Sequence, residues 1–264
     1  MSNKTLNENV DLSADYYATN SILQNDLARE ILDSYQVNPK AHILDIGCGD
    51  GRITAELSKR AKKGKVLGID SSPNMVRFAS KNFPKKRFPN LCFSQKKAER
   101  LKIPRKLDLI VSFSCFHWLR EPEAAFQRLS DSLKQGGELL ILTYPKESYY
   151  YQYLEQALKS YPDYQIHSAY HTMLSTNEYK NLLSINNLDV SLFEKRDLIA
   201  SYNTLKEIQE FIKGWLNSYV PLPENLHKEF LFPLPSFQQL LDKAIIVFPH
   251  YVQSQRLIRK AFYP

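Results

Sequence analysis

Two short apolar segments of this chain end in an acid, and a glycine-rich turn follows the first of them. The first segment, His42-Ile43-Leu44-Asp45-Ile46, runs into Gly47-Cys48-Gly49-Asp50-Gly51 and then a helix. Glycine lets a backbone approach a ligand closely, and the start of the helix offers free N–H donors. A negative charge at Asp45 would repel a pyrophosphate and attract an ammonium or sulfonium group. The pattern therefore favours a nucleotide-like ligand that carries positive charge.

The second segment, Lys65-Val66-Leu67-Gly68-Ile69-Asp70, also ends in an acid. A carboxylate in this position can accept both hydrogen bonds of a ribose diol. The dinucleotide fingerprint requires a third glycine where this chain has Arg52. The strand-end acid followed by Gly-x-Gly-x-Gly resembles motif I of the class I S-adenosylmethionine (SAM) methyltransferases instead, and Asp70 has the spacing of their second motif.

This resemblance implies a Rossmann-like class I methyltransferase fold of the α/β class, with SAM as cofactor and no metal. In the family, the residue matching Met75 packs near the adenine, and many members carry an acid after the third strand that binds the adenine amino group. Alignment on Ala98-Glu99 places Lys97 at that acid, and lysine has no acceptor, so Glu99, the Ala98 backbone or packing must replace it. The implied cofactor-binding residues are Tyr17, Asp45, Gly47, Cys48, Gly49, Gly51, Asp70, Ser71, Met75, Ala98, Glu99 and Ser112.

The segment after the fourth strand carries the pair His117-Trp118. Ligands of open α/β sheets lie outside the carboxyl ends of the strands, so Ser112 to Trp118 should face the transferred methyl group. The segment lacks the Asn/Asp-Pro-Pro-aromatic motif of enzymes that methylate nucleic-acid bases. Together with Tyr16–Gln24, it resembles the juvenile hormone acid and trans-aconitate methyltransferases over roughly residues 15–220. That resemblance implies Gln24, His117 and Trp118 as catalytic residues that meet a substrate carboxylate.

Apolar and amphipathic segments alternate through about residue 144, which predicts a mostly parallel, doubly wound sheet. A glycine pair at 136–137 is expected to end the last of the four helices. The predicted strands are 42–46, 65–70, 91–95, 107–113 and 137–144, and the predicted helices are 21–35, 51–61, 73–82 and 121–134.

The alternation of strands and helices ends after residue 144. We expect 148–186 to be helical, 188–201 to be an extended run and 204–218 to be an amphipathic helix. The apolar run 244–248 suits a final antiparallel strand, although 236–247 also fits a helix. The expected organisation is an N-terminal helical segment covering the site (1–35), a SAM-binding core (36–145) and a helical cap that completes the sheet (146–264).

Composition limits the class of protein to which this chain can belong. The chain has 264 residues, 43% hydrophobic and 24% charged, without a long apolar run or a secretory signal, which is typical of a globular protein. Three scattered cysteines without metal spacing indicate reduced thiols and a cytoplasmic location. The net charge is +7, and the basic run 81–106 could either dock an anionic macromolecule or form a solvated face. Reversing Lys85, Lys86 and Arg87 would separate these two interpretations.

The sequence thus predicts a methyltransferase that O-methylates a small-molecule carboxylate. A carboxylate is already ionised at neutral pH, so the enzyme needs donors and alignment instead of a base. His117 could serve as a base for a hydroxyl or amine, which leaves alcohol methylation open. The alternatives are an enzyme acting on a carrier-protein-bound acyl group or nucleic acid, and a SAM-binding module without catalysis.

Overall fold

The computed structural model of the protein describes residues 22–104, 106–164, 172–201, 220 and 239–251. Its centre is a seven-stranded sheet in the order β3-β2-β1-β4-β5-β7-β6. The strands are β1 (His42–Ile46), β2 (Lys65–Asp70), β3 (Leu91–Gln95), β4 (Leu107–Phe113), β5 (Leu133–Thr143), β6 (Leu188–Ser201) and β7 (Gln239–Tyr251). The first five are parallel, and β7 runs antiparallel to both β5 and β6. The predicted doubly wound, mostly parallel sheet is confirmed.

The described helices alternate with the strands as predicted. They are α1 (Ile22–Ser34), α2 (Arg52–Arg60), α3 (Pro73–Asn82), α4 (Pro122–Ser132), α5 (Tyr149–Leu158) and α6 (Thr176–Ile185), with 3-10 turns at Ala98–Arg100 and Phe116–Trp118. Local signals explain their starts: Ser72 caps α3 ahead of Pro73, and Ser175 and Glu178 form a capping box on α6.

Successive residues of the central strands face opposite sides of the sheet, and both sides are buried. Along β1, Leu44 and Ile46 pack with α4 and α6, whereas Ile43 packs with α1 and α2. A parallel sheet covered on both faces needs such continuous apolar strands. The result is a rigid frame whose carboxyl edge holds the two strand-end acids.

Three expectations about elements after residue 130 are corrected or decided. Helix α4 ends at Ser132, before the glycines, because β5 already begins at Leu133 and pairs with Leu107 of β4. The predicted helical stretch 148–186 is two separate helices, α5 and α6. The run 244–248 is strand, as part of β7, and the predicted strand 188–201 is confirmed as β6. The predicted helix 204–218 lies outside the described residues.

A short segment after residue 171 ties together the exits of β4 and β5. The Thr172 N–H donates to the Leu119 carbonyl and the Thr172 hydroxyl to the Arg120 carbonyl, while the Lys146 N–H donates to Leu174. These bonds anchor α6 above the carboxyl edge of the sheet. The division into segments 1–35, 36–145 and 146–264 stays a prediction.

Within the described ranges, no helix has both the length and the apolar character needed to cross a membrane. The same residues contain no cluster of three or more histidines, cysteines or acids with metal-binding geometry.

Candidate functional site

The glycine turn after β1 adopts a backbone that side chains would obstruct. Gly47 has φ 71°, in the left-handed region that favours glycine. A Cβ at Gly47 would overlap the Cβ and Sγ of Cys115, which lies in the loop after β4. The Gly47 and Cys48 N–H groups both donate to the Ile69 carbonyl of β2. The turn is therefore held between the ends of three neighbouring strands.

Asp45 lies beneath this turn and is only 2% exposed. Its Oδ2 accepts a hydrogen bond from the Thr54 hydroxyl at 2.6 Å. Burial raises the pKa of the carboxyl to about 7; the Thr54 bond opposes this rise, and the charges of Asp70 and Asp50 add to it. Asp50 has its own partner in Arg52, at 2.6 Å. The site thus concentrates negative potential, which suits a cationic ligand group.

Asp70 joins the glycine turn to the loop after β2. One carboxylate oxygen accepts from the Gly49 N–H at 3.0 Å, and the other accepts from the Ser72 N–H at 2.9 Å. Burial raises the pKa of Asp70, and these N–H bonds oppose that rise. The Ser71 N–H also bonds this carboxylate, which leaves about one of its roughly four acceptor positions. Asp70 can therefore order the turn and still accept from a diol.

The other predicted cofactor residues near these acids are placed by packing. Met75 is 3% exposed, and its N–H donates to the Ser72 hydroxyl at the start of α3. Ser71 is exposed, and its carbonyl accepts from Gln95. Cys48 is buried against Gly68, where a larger side chain would be excluded. The structure thus brings both predicted motifs to one edge of the sheet.

The loop after β3 departs from the usual family pattern, as the sequence predicts. Glu99 accepts a hydrogen bond from the Arg120 N–H at 3.1 Å, so this carboxylate joins two loops of the site. Ala98 is buried at the start of the 3-10 turn, and Lys97 precedes it. The contact that replaces the missing acid stays a prediction, because one N–H bond leaves Glu99 with free acceptor positions and the Ala98 backbone lies beside it.

The loop after β4 brings the predicted acceptor residues to the same edge. His117 is 5% exposed, and its ring lies 5.2 Å from Trp118 and 5.0 Å from Tyr144, measured between centroids. Its Nδ1 lies 3.4 Å from the hydroxyl of Thr143, at the end of β5. Cys115, two residues before His117, packs against Gly47, so His117 and Trp118 are placed next to the glycine turn.

The structure places the remaining predicted residues in different surroundings. Ser112 is completely buried, and its hydroxyl donates to the Ile46 carbonyl, a bond that ties β4 to β1. Gln24 borders a cavity of about 30 Å³ that is also lined by Asp45, Gly49 and Phe113. Its Oε1 is buried without a hydrogen-bond partner among the described residues. Gln24 thus lies beside the cofactor acids, and its role at the acceptor stays a prediction. Tyr17 lies outside the described residues.

Residues 43–137 match a family model described as a methyltransferase domain. This part of the chain is a class I SAM-dependent methyltransferase domain. The domain covers β1 through the first half of β5, which includes both strand-end acids and the glycine turn. The predicted recognition and the predicted cofactor are thereby confirmed.

Curated proteins that are similar to this chain support the same family. It is 35% identical over 126 residues to putative methyltransferase 235L of Invertebrate iridescent virus 6, covering 48% of this chain and 46% of that protein. A malonyl-[acyl-carrier protein] O-methyltransferase of Paenibacillus sp. is 29% identical, with 69% of this chain and 67% of that protein covered. A trans-aconitate 2-methyltransferase of Afipia carboxidovorans is 30% identical, with 50% and 49% covered. The chain therefore spans about half the length of two of these relatives.

Solved structures show the same fold. The YcgJ protein of Bacillus subtilis superimposes with a TM-score of 0.64 at 19% identity, covering 87% of this chain and all of that protein. At this identity the likeness concerns the fold alone.

The residues of the methyltransferase site fit SAM on their own chemistry. Asp45 is a buried carboxylate whose charged neighbours are two more carboxylates. A bound cation would therefore offset the cost of burying its negative charge. Gln24, whose Oε1 has no hydrogen-bond partner among the described residues, lines the cavity beside Asp45. Asp70, followed by the buried Met75, offers diol acceptors next to an apolar surface.

Several residues that shape the site were missed by sequence reasoning. Thr54, Cys115, Thr143 and Tyr179 are unremarkable in sequence, and each gains its role from a contact with a distant residue. Thr54 alone had a local signal, since it lies one helical turn after Gly51 on a face directed toward β1.

The pKa of Asp45 leads to a prediction about pH. A cationic ligand favours the ionised carboxylate, so SAM affinity should rise with pH up to about 7 and then level off. Below that pH it should fall by up to about tenfold per unit. In the ligand-free protein the sign is opposite: a folded pKa raised from 3.8 to about 7 means that stability falls as pH rises through this window.

Calorimetric titration with SAM between about pH 5.5 and 7, below the range in which an α-amino group titrates, checks this expectation. Asp45→Asn keeps the shape of the side chain and should bind weakly with little dependence on pH. The same slope in the variant and the wild type would assign the pH dependence to another group.

Proposed function

We propose that this protein transfers the methyl group of SAM to a carboxylate oxygen. The observation that carries the proposal is the His117-Trp118 pair, which the contact between Cys115 and Gly47 holds beside the cofactor turn. His117 contacts a hydroxyl and two aromatic rings, the surroundings of a positioned donor. The relatives named for malonyl-[acyl-carrier protein] and trans-aconitate methylation support a carboxyl acceptor.

Bound SAM supplies an electrophilic methyl group on a sulfonium, and the residues of the chain supply alignment. Trp118 and His117 can donate N–H groups to the carboxylate and hold one of its oxygens toward the cofactor. Phe116, the first residue of the 3-10 turn, packs edge to face against Phe126 of α4, and this contact fixes the position of the turn. Since the acceptor is already ionised at neutral pH, no proton has to be removed.

A labelling experiment tests the acceptor class. The protein is incubated with methyl-labelled SAM and a pool of carboxylic acids, acyl-carrier proteins and alcohols, and the products are then treated with alkali. Methyl esters release labelled methanol under these conditions, whereas methyl ethers and methylamines do not. Alkali-stable label would contradict carboxylate methylation.

Variants of His117 and Trp118 should show whether His117 acts as a hydrogen-bond donor or as a general base. For a carboxylate, His117→Asn keeps a donor and should retain a sizeable fraction of the single-turnover rate. At saturating SAM, the wild type should show no acidic limb between about pH 6 and 9 that belongs to an enzyme base. Trp118→Ala and Gln24→Ala should lose more, because the acceptor is misplaced. For an alcohol the order reverses, since losing a general base costs about 10²–10⁴-fold. Trp118→Phe serves as the control that keeps the ring and removes the N–H.

The second candidate is an acyl group on an acidic carrier protein, and the basic run bears on it. The structure corrects the view of 81–106 as a single patch. Lys85, Lys86 and Arg87 precede β3 and lie at the amino edge of the sheet, whereas Lys96 and Arg100 follow it at the carboxyl edge. Strand β3 separates the two groups, and the second group is on the side of His117.

A carrier protein should therefore depend on the second group. Reversing the exposed Lys96, Arg100 and Lys102 to glutamate should cut activity on a carrier-bound acyl group and reduce its salt dependence. Reversing Lys85, Lys86 and Arg87, an equal change of charge at the other edge, is the matched control and should have little effect. Equal loss in both triple variants, or equal loss with a free acid, would contradict carrier docking.

A further inference from the structure

A buried row of polar groups connects α6 to His117. The Tyr179 hydroxyl lies 3.1 Å from the Thr143 hydroxyl, and Thr143 lies 3.4 Å from Nδ1 of His117. The three side chains are 1%, 0% and 5% exposed. Two ring contacts, with Trp118 and Tyr144, fix the plane of the imidazole. Because these groups are shielded from water, each hydrogen bond in the row constrains the direction of the next.

Two directions are consistent with the distances. In the first, His117 donates from Nδ1 to Thr143, and Thr143 donates to Tyr179. The Tyr179 proton then needs another acceptor, yet within the described part of the chain its hydroxyl bonds only Thr143. Burial also raises the pKa of Tyr179, so the proton stays on the hydroxyl. A buried O–H without an acceptor costs about 1–3 kcal/mol.

In the second direction both hydroxyl protons have an acceptor. Tyr179 donates to Thr143, Thr143 donates to Nδ1 of His117, and the single proton of the neutral imidazole is on Nε2. The second direction is therefore the more stable one, because it leaves no hydroxyl proton unpaired.

We propose that Thr143 and Tyr179 are positioning residues that hold His117 in the Nε2–H tautomer, as a hydrogen-bond donor to an anionic acceptor. In this state the Nδ1 lone pair accepts from Thr143 and Nε2 carries a proton, so the neutral ring cannot remove a proton from an alcohol. The row thus specifies an acceptor oxygen that is already ionised. This inference rests on the proposed methyl transfer for its choice of substrate, and its geometry stands independently.

The tautomer can be measured without any acceptor. Long-range proton–nitrogen correlation of histidine-labelled protein distinguishes a protonated ring nitrogen from an unprotonated one. The set of imidazole signals that is missing from the spectrum of His117→Asn is assigned to His117. In the wild type above about pH 8, where an unperturbed imidazole is neutral, we expect Nε2 protonated and Nδ1 unprotonated.

Variants of the row test the positioning role. Thr143→Val removes the hydroxyl at nearly constant shape and should populate the Nδ1–H tautomer, whereas Thr143→Ser should restore the wild-type spectrum. Thr176→Val is the matched control: the Thr176 hydroxyl is also buried, it has no hydrogen-bond partner among the described residues, and it lies one turn before Tyr179 on α6. It should leave His117 unchanged.

The outcomes separate this inference from the proposed function. An Nδ1–H tautomer in the wild type, or an Nε2–H tautomer that persists in Thr143→Val, would overturn the positioning role even if carboxylic acids are methylated. The expected tautomer in a protein that labels only alkali-stable products would support the positioning of His117 by Thr143 and Tyr179. It would overturn carboxylate methylation and, with it, the selection of an ionised acceptor.

Discussion

Gly47→Ala is expected to abolish SAM binding and to destabilise the protein far more than Gly136→Ala. The two glycines have nearly the same backbone, with φ 71° and 69°, so the conformational cost of alanine, about 1–2 kcal/mol, is shared. A Cβ at Gly136 meets nothing within 4 Å, whereas one at Gly47 would overlap Cys115. Relieving that overlap should cost a further ~1–3 kcal/mol and displace the glycine turn. Urea unfolding and calorimetry with SAM measure the two effects.

A double substitution isolates the contact between the two loops. Cys115→Gly removes the atoms that the new Cβ would meet, so Gly47→Ala should be less destabilising in that background than in the wild type. The difference in the free energy of unfolding should be at least about 1 kcal/mol, the size expected of side chains in contact. Strictly additive effects would show that the loop after β4 does not press on Gly47.

Asp70→Asn should weaken SAM binding by about 1–3 kcal/mol, the scale of losing charge-assisted hydrogen bonds. Both carboxylate oxygens accept backbone N–H groups, from Gly49 and from Ser72. The asparagine amide has one oxygen, so in either orientation its NH₂ group faces an N–H donor. The substitution therefore disorders the turn and also removes an acceptor for the ribose diol.

Calorimetry with SAM and with its demethylated product measures this loss. The two ligands share the ribose, so both should weaken by a similar factor. Asp163→Asn changes an exposed acid in the turn after α5 and serves as the control, with unchanged affinity. Undiminished binding of both ligands to Asp70→Asn would remove Asp70 from the site.

Local features explain how much of this fold could be predicted from the sequence. The five strands through β5 begin and end within a few residues of the prediction, because short apolar runs bounded by glycine and proline carry their own signal. The strand-end acids Asp45 and Asp70 were found by the same logic, since parallel strands of a covered sheet end at a common edge. The common location of the two acids, the proposed cofactor half of the site, could therefore be predicted from residues 42–75.

Periodicity did not decide the end of the chain. Residues 236–247 fitted helix or strand equally well, and the outcome depended on partners far away in sequence. Strand β7 pairs with β5 on one side and with β6 on the other, so the backbone groups of two open edges determined its conformation. A single segment contains no information about such edges.

The acceptor half was decided by contacts between residues that are distant in sequence. The sequence by itself determined a glycine turn between two strand-end acids and an aromatic pair after the fourth strand, which it predicted to bind SAM and the acceptor. Only the tertiary structure placed Cys115 on Gly47, joined Tyr179 and Thr143 to His117, and put the two halves of the basic run at opposite edges. The physical reason is that strand order and helix packing choose which distant side chains meet, and hydrogen bonds in a buried site take their direction from those partners.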